Sequence, residues 1–167
     1  MVEDYIAPIR HWATDDRLRS LSHNALNNTI QLARGHLRIA IVLLEPIADE
    51  GSYEQMTQRC ATLQEINTLI QQVSCGKHSI EDVSVIDVRI LLSRKRRADL
   101  GLTEADVESA HDVFQEVMDL KQPDIILGLQ CQTSTAENEF ARKMCSHPRS
   151  DLIFETLQIK GREAKFR

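Results

Sequence analysis

Aromatic side chains are scarce in this 167-residue chain, at 4%. Its core must therefore rest on Leu, Ile, Val and Ala. A stacking platform for single-stranded nucleic acid, which needs exposed rings, is disfavoured. Glycine is limited to six residues and builds no Gly-rich phosphate loop. The first apolar strand runs into Glu45-Pro46 instead of glycines, which argues against a nucleotide-binding Rossmann domain. Long hydrophobic runs are absent. The longest, Ile39 to Leu44, is far too short to span a bilayer, so no membrane partner is expected. No basic, apolar, small-residue sequence opens the chain, so no secretory leader is expected either. The four cysteines, Cys60, Cys75, Cys131 and Cys145, form no Cys-x-x-Cys pair and have no His partner at zinc spacing. They read as reduced structural thiols of an intracellular protein, cytoplasmic or nuclear. The six histidines are scattered, with no pair at a metal-binding spacing on a helix or strand. No metal and no cofactor is expected. An excess of positive charge is also missing: the formal charge is −5 and the pI about 5.7. Phosphate binding then needs a local basic patch, not the overall charge.

What is present is an ordinary globular composition, 42% apolar and 27% charged. The length suits one domain over 1–167. Residues 1–14 read as an irregular segment. A helix is predicted from about Asp15 to Ala33, and a continuously apolar strand from Leu37 to Leu44. Tyr53, Met56, Cys60, Leu63, Ile66, Ile70 and Val73 recur at steps of three and four, the stripe of one long amphipathic helix ended by Cys75-Gly76-Lys77. A second strand is predicted from Val83 to Leu92, then a polar basic loop. Thr103 to Asp106 has the spacing of a capping box ahead of a helix that buries Val107, Ala110, Phe114 and Val117. Pro123 breaks that helix, and Ile125 to Leu129 reads as a third strand. A shorter helix covers about Thr135 to Cys145, and Phe154 to Phe166 reads as a fourth strand weakened by Gly161. Alternating helices and strands imply right-handed βαβ units. The expected fold is a three-layer α/β sandwich, with a short, mainly parallel sheet of about four strands flanked by helices.

Ligands of open α/β sheets lie beyond the carboxyl ends of the strands. The residues to weigh are therefore Glu45 and Pro46 after strand one, Asp87, Arg89 and Ser93 along strand two, and Gln130, Gln132 and Thr133 after strand three. A strand-end carboxylate can act as a base or orient water. The glutamines and the threonine can hydrogen-bond a polar ligand, although polar residues also resume at any strand end. Asp87 interrupts an apolar strand, and a buried carboxylate is costly unless paired. Arg89, two residues on and on the same face, offers an internal ion pair as the structural account. A perturbed carboxyl at a binding site is the functional account. Arg94, Lys95, Arg96 and Arg97 form a basic run that can hold phosphates or serve as a nuclear-localisation signal, or be a solvated loop.

From Leu37 onward the order of segments resembles the uracil-DNA glycosylase superfamily. Val42-Leu43-Leu44-Glu45-Pro46 is similar to that family's strand ending in an acid close to a proline. The resemblance implies that Glu45 is the water-activating acid. Val85-Ile86-Asp87-Val88 is similar in setting to the strand carrying the family's base-reading Asn, here replaced by Asp87. Lys121-Gln122-Pro123-Asp124 leading into Ile125-Ile126-Leu127-Gly128 resembles the family's Lys-Pro-Asp entry to an apolar strand. His147-Pro148-Arg149-Ser150 has the letters of the family's closing His-Pro-Ser loop but comes one strand early. The implied function is a base-excision hydrolase acting on DNA, or a relative that only binds nucleic acid. It would use Glu45 and Asp87 at the centre, Pro46, Arg89, Gln130, Gln132 and Thr133 around the base, and Arg94 to Arg97 on phosphates. Two alternatives stand beside it. One is a non-catalytic domain that binds a protein partner or forms a homo-oligomer. The other is a small-molecule hydrolase using Glu45 or Asp87.

Overall fold

The computed structural model describes residues 4–18, 20–48 and 51–129, and the backbone of 155–159 and 162–166. Three parallel strands form the heart of the sheet: β1 (Ile39–Leu43), β2 (Ser84–Asp87) and β3 (Ile125–Gly128). β1 lies between the other two, with Ile41 opposite Val85 on one side and Leu127 on the other. The tail forms two strands instead of one, β4 (Glu155–Ile159) and β5 (Arg162–Phe166). They pair as an antiparallel hairpin, and β5 runs antiparallel to β3, giving the order β2-β1-β3-β5-β4. One weakened strand over Phe154 to Phe166 was expected; Gly161 lies outside the described residues. The predicted helix over Thr135 to Cys145 lies outside the described residues.

Helices cover both faces, which makes the domain a three-layer α/β sandwich. α1 (Ile6–Ala13), α2 (His23–Ala33) and α6 (Glu104–Lys121) pack against Ala40, Val42, Ile86 and Ile126. α3 (Tyr53–Arg59) and α4 (Ala61–Val73) pack against Ile41, Val83 and Val85. The alternation of side chains along each strand divides the apolar residues between these two cores. Both faces are covered, which is why β1 reads as an unbroken apolar run.

Several boundaries differ from the sequence expectation. The N-terminal segment is helical, not irregular. Ile6, Ile9 and Trp12 make a short buried stripe, and the Trp12 indole Nε1 donates to the Ile90 carbonyl at 3.0 Å. The single helix expected from Asp15 is instead a 3₁₀ turn at Asp16–Leu18, followed by α2, whose cap is Ser22 accepting from the Ala25 amide. The long stripe from Tyr53 to Val73 belongs to two helices. Cys60 has extended backbone angles (φ −79°, ψ 102°) and separates α3 from α4 without moving the stripe off its face. Val73, at the end of α4, is 75% exposed and leaves that stripe.

The second strand is shorter than expected and ends at Asp87. Two more amides, of Val88 and Arg89, still donate to the Leu43 and Leu44 carbonyls before the chain turns. Leu91 then adopts a left-handed φ of 65°. The basic run is a helix, not a loop: α5 (Arg94–Leu100). Ser93 caps it by accepting from the Arg96 amide, and Gly101 ends it at φ 60°. Lys and Arg are good helix formers, and a Lys95–Asp99 ion pair spans one turn. The capping box of α6 is formed as expected, with Asp106 accepting from the Thr103 amide at 2.7 Å. Gln122, in the left-handed region, ends that helix just before Pro123.

Candidate functional site

The connection from β1 to β2 goes to one side of β1, and the next connection crosses to β3 on the other. Strand-end loops separate at such a reversal and leave a crevice. Here the crevice is a cleft of about 1490 Å³, bordered by the carboxyl ends of β1 and β2, the cleft-facing sides of α2, α3 and α4, and the start of α5. Leu32, Leu43, Met56, Cys60 and Leu63 give it apolar walls. Glu45, Pro46, Asp87, Ser93, Arg94, Lys95 and Arg96 line it as well, so seven of the residues singled out in the sequence meet at one place. Gln130, Gln132 and Thr133 lie outside the described residues. Leu129, just before them, is part of the lining.

The two carboxyl groups differ sharply in surroundings. Glu45 follows β1 and is bound by two arginines. Arg89 Nη1 donates to its Oε2 at 2.9 Å, and Arg97 Nη2 donates to the same oxygen at 2.6 Å. Both lone-pair directions of Oε2 are thus engaged. All three side chains are well covered, at 15% exposure for Glu45, 15% for Arg89 and 22% for Arg97. Glu45 is therefore the hub of an ion-pair cluster that ties the end of β1 to the turn after β2 and to α5.

Asp87 makes no such pair among the described residues. The expected partner, Arg89, is turned toward Glu45, because β2 ends at Asp87 and the two-residue repeat that would align their side chains ends with it. Asp87 is 6% exposed, and its buried Oδ1 has no hydrogen-bonding partner among the described residues. Removal from water, and secondarily the charge of Glu45, push its carboxyl up to about 7. A group poised there can hold or release a proton near neutrality.

A second orphaned atom belongs to another cleft-lining residue, one not singled out in the sequence. Asn28 of α2 is 3% exposed. Its Nδ2 donates to the Gly51 carbonyl at 3.0 Å, and its buried Oδ1 has no partner among the described residues. A carbonyl can only accept, so Gly51 fixes which end of the amide is nitrogen. The sequence did hold a signal. Position 28 falls between Ala25 and Leu32 on the apolar stripe of that helix, and a polar residue there calls for a partner. Arg59, from α3, adds a further cation to the lining.

The basic run divides by role. Arg94, Lys95 and Arg96 line the cleft, whereas Arg97 turns back to Glu45. Lys95 is shared with Asp99. Arg94 is exposed at the rim. Among the described residues no group of three or more His, Cys, Asp or Glu side chains could hold a metal ion. Cys60 is buried and unbridged, and Cys75 is exposed and unbridged. Among the described residues, too, no helix is long and apolar enough to cross a membrane. Compared with known protein families, curated proteins and solved structures, the chain gives no significant match to any of them.

Proposed function

We propose that this chain is a glycosylase-like domain whose strand-end cleft takes a nucleobase against its floor and the attached DNA phosphates at its basic rim. Asp87, not Glu45, is the proton-exchanging group. The observation that carries this reading is the buried Asp87 carboxyl, raised toward neutrality in the lining of a large cleft, with its Oδ1 lacking a partner among the described residues. The segment order resembling the uracil-DNA glycosylases supports it, as do Arg94, Lys95 and Arg96 at the mouth. Apolar walls suit the faces of a planar ring, and cations suit phosphate oxygens.

Glu45 fits the role of water-activating acid poorly, because two guanidinium groups already occupy its Oε2. Protonated Asp87 can pass its proton to a departing base as the carbon–nitrogen bond to the sugar breaks. Water then adds to the sugar carbon, and the proton that water gives up restores Asp87. General acid catalysis of this kind contributes roughly 10²–10⁴-fold.

The test is base release from single-stranded oligonucleotides, with protein in excess, each strand labelled at one uracil, cytosine, adenine or guanine in turn. Release should fall by about 100-fold or more in Asp87→Asn. It should also decline as pH rises through about 7, because the acid is lost when Asp87 ionises. Release that is undiminished in Asp87→Asn would refute the assignment. A protein that neither releases nor binds any base would refute the reading as a whole.

A further inference from the structure

Asp87 and Asn28 both line the cleft, and each carries a buried oxygen, Oδ1, with no hydrogen-bond donor among the described residues. Buried polar atoms in folded proteins are nearly always satisfied, by protein, by water or by a ligand. Neither position is an accident of a loose loop. Asp87 is the last residue of β2, opposite Leu43 of β1, and Asn28 is held within α2 by its bond to the Gly51 carbonyl. The Asn28 oxygen can only accept, and the amide is locked in that sense because its nitrogen is used by Gly51. These two oxygens are short of donors, while the same cleft is lined by the cations Arg94, Lys95 and Arg96.

We infer that the cleft selects a nucleobase bearing an exocyclic amino group, with Asn28 as a specificity residue beside Asp87, and disfavours bases that lack one. This rests on the base-binding reading given above. An amino group on a heterocyclic ring brings two N–H donors in the ring plane, whereas the uracil ring brings a single N–H flanked by two carbonyl oxygens. One N–H cannot serve two separate acceptors. The flanking carbonyls would also face the Asn28 oxygen and leave it unsatisfied in an apolar enclosure. A site built to bond a polar group rejects the analogue lacking it, because its own buried atoms then stay unpaired. Asp87 contributes an acceptor whether or not it carries a proton, since its second oxygen can hold the hydrogen.

The experiment is calorimetric titration of the whole chain at pH 7 with pairs of nucleoside monophosphates that differ only in this group. The pairs are adenosine monophosphate against purine riboside monophosphate, and cytidine monophosphate against its N4,N4-dimethyl derivative. The amino member of each pair should bind about tenfold or more tightly, and Asn28→Leu should erase most of that ratio. Should that variant fail to fold, the ratio in the unaltered protein still decides. Equal binding within each pair would overturn the amino-group inference and leave the base-binding reading intact. No binding by any of the four would overturn the base-binding reading, and the inference with it.

Discussion

Replacing Asp87 by Asn removes one titrating group from a buried position while keeping its shape. In the unfolded chain the Asp87 carboxyl has its ordinary value of 3.8, and in the folded protein burial raises it to about 7. The native state therefore binds this proton more tightly than the unfolded state. The stability it contributes is fully present below pH 4 and is lost progressively until pH passes 7. Each pH unit in that window costs roughly 1.4 kcal/mol, so about three units amount to roughly 4 kcal/mol. Above pH 7 both states are ionised and the loss is constant. Asp15, Asp82 and Asp106 are held below the usual carboxylate range by hydrogen bonds, chiefly from Arg17, Ser79 and Thr103 respectively. They act in the opposite sense, contributing stability above their unfolded values that is lost in acid, so the raw pH profile mixes both. Subtracting Asp87→Asn from the parent isolates the one group. Urea unfolding between pH 4 and pH 8.5 should show the variant more stable by about 2–3 kcal/mol at pH 8, after allowing about 1–2 kcal/mol for an amide left without partners. The gap should close or reverse by pH 4. Parallel profiles for the two proteins would show that Asp87 ionises freely in the native state, and would remove the basis for its role in proton exchange.

Other consequences follow from the same packing. Glu45→Gln leaves Arg89 and Arg97 facing a neutral amide. It should cost roughly 2–3 kcal/mol in denaturant unfolding, somewhat below the ~3–5 kcal/mol of a fully buried pair, and base release should fall less than in Asp87→Asn. A Cβ added at Gly35 would meet the Val83 carbonyl carbon at 1.9 Å and the Ser84 amide nitrogen at 2.3 Å, both backbone atoms. Gly35→Ala should accordingly lower stability by about 3 kcal/mol, through displacement of the start of β2; a thermal midpoint within a degree of the parent would contradict this. Ser93→Ala removes the cap of α5 and should cost about 1 kcal/mol. Because α5 presents Arg94 to Arg96, the same change should weaken oligonucleotide binding without altering the pH dependence of any release. Arg94→Ala should leave unfolding unchanged within about 0.5 kcal/mol. It should also reduce the salt dependence of oligonucleotide binding by close to one counterion.

The three parallel strands were legible because each is an apolar run, β1 and β3 being set off by Glu45-Pro46 and Pro123, and because two covered faces demand such runs. The capping box at Thr103 and Asp106 was legible for a similar reason: its signal is local. Boundaries that depend on tertiary contacts were not. Nothing near Val88 announces that β2 stops at Asp87. The apolar residues continue through Leu92 because the turn that follows is itself buried, with Ile90 receiving the Trp12 indole. That early stop is what sends Arg89 to Glu45 and leaves Asp87 alone, so the same missed boundary produced the wrong ion pair. α1 was missed, although its Pro8 falls in the first turn, where a proline is tolerated. The convergence of Glu45, Asp87 and the basic run followed from the rule that ligands gather at strand ends. Asn28 did not, because α2 reaches the cleft only through the packing of its stripe.

The position of β1 also bears on how the chain can be made. It is the most apolar strand and the first to be synthesised, yet both of its hydrogen-bonding partners come later, β2 ending at Asp87 and β3 at Gly128. During synthesis it waits with two open edges, then with one, which is the state in which strands pair with the wrong chain. Nascent chains halted before Ile125 should thus be sticky and chaperone-bound, and release from that state should coincide with the appearance of β3.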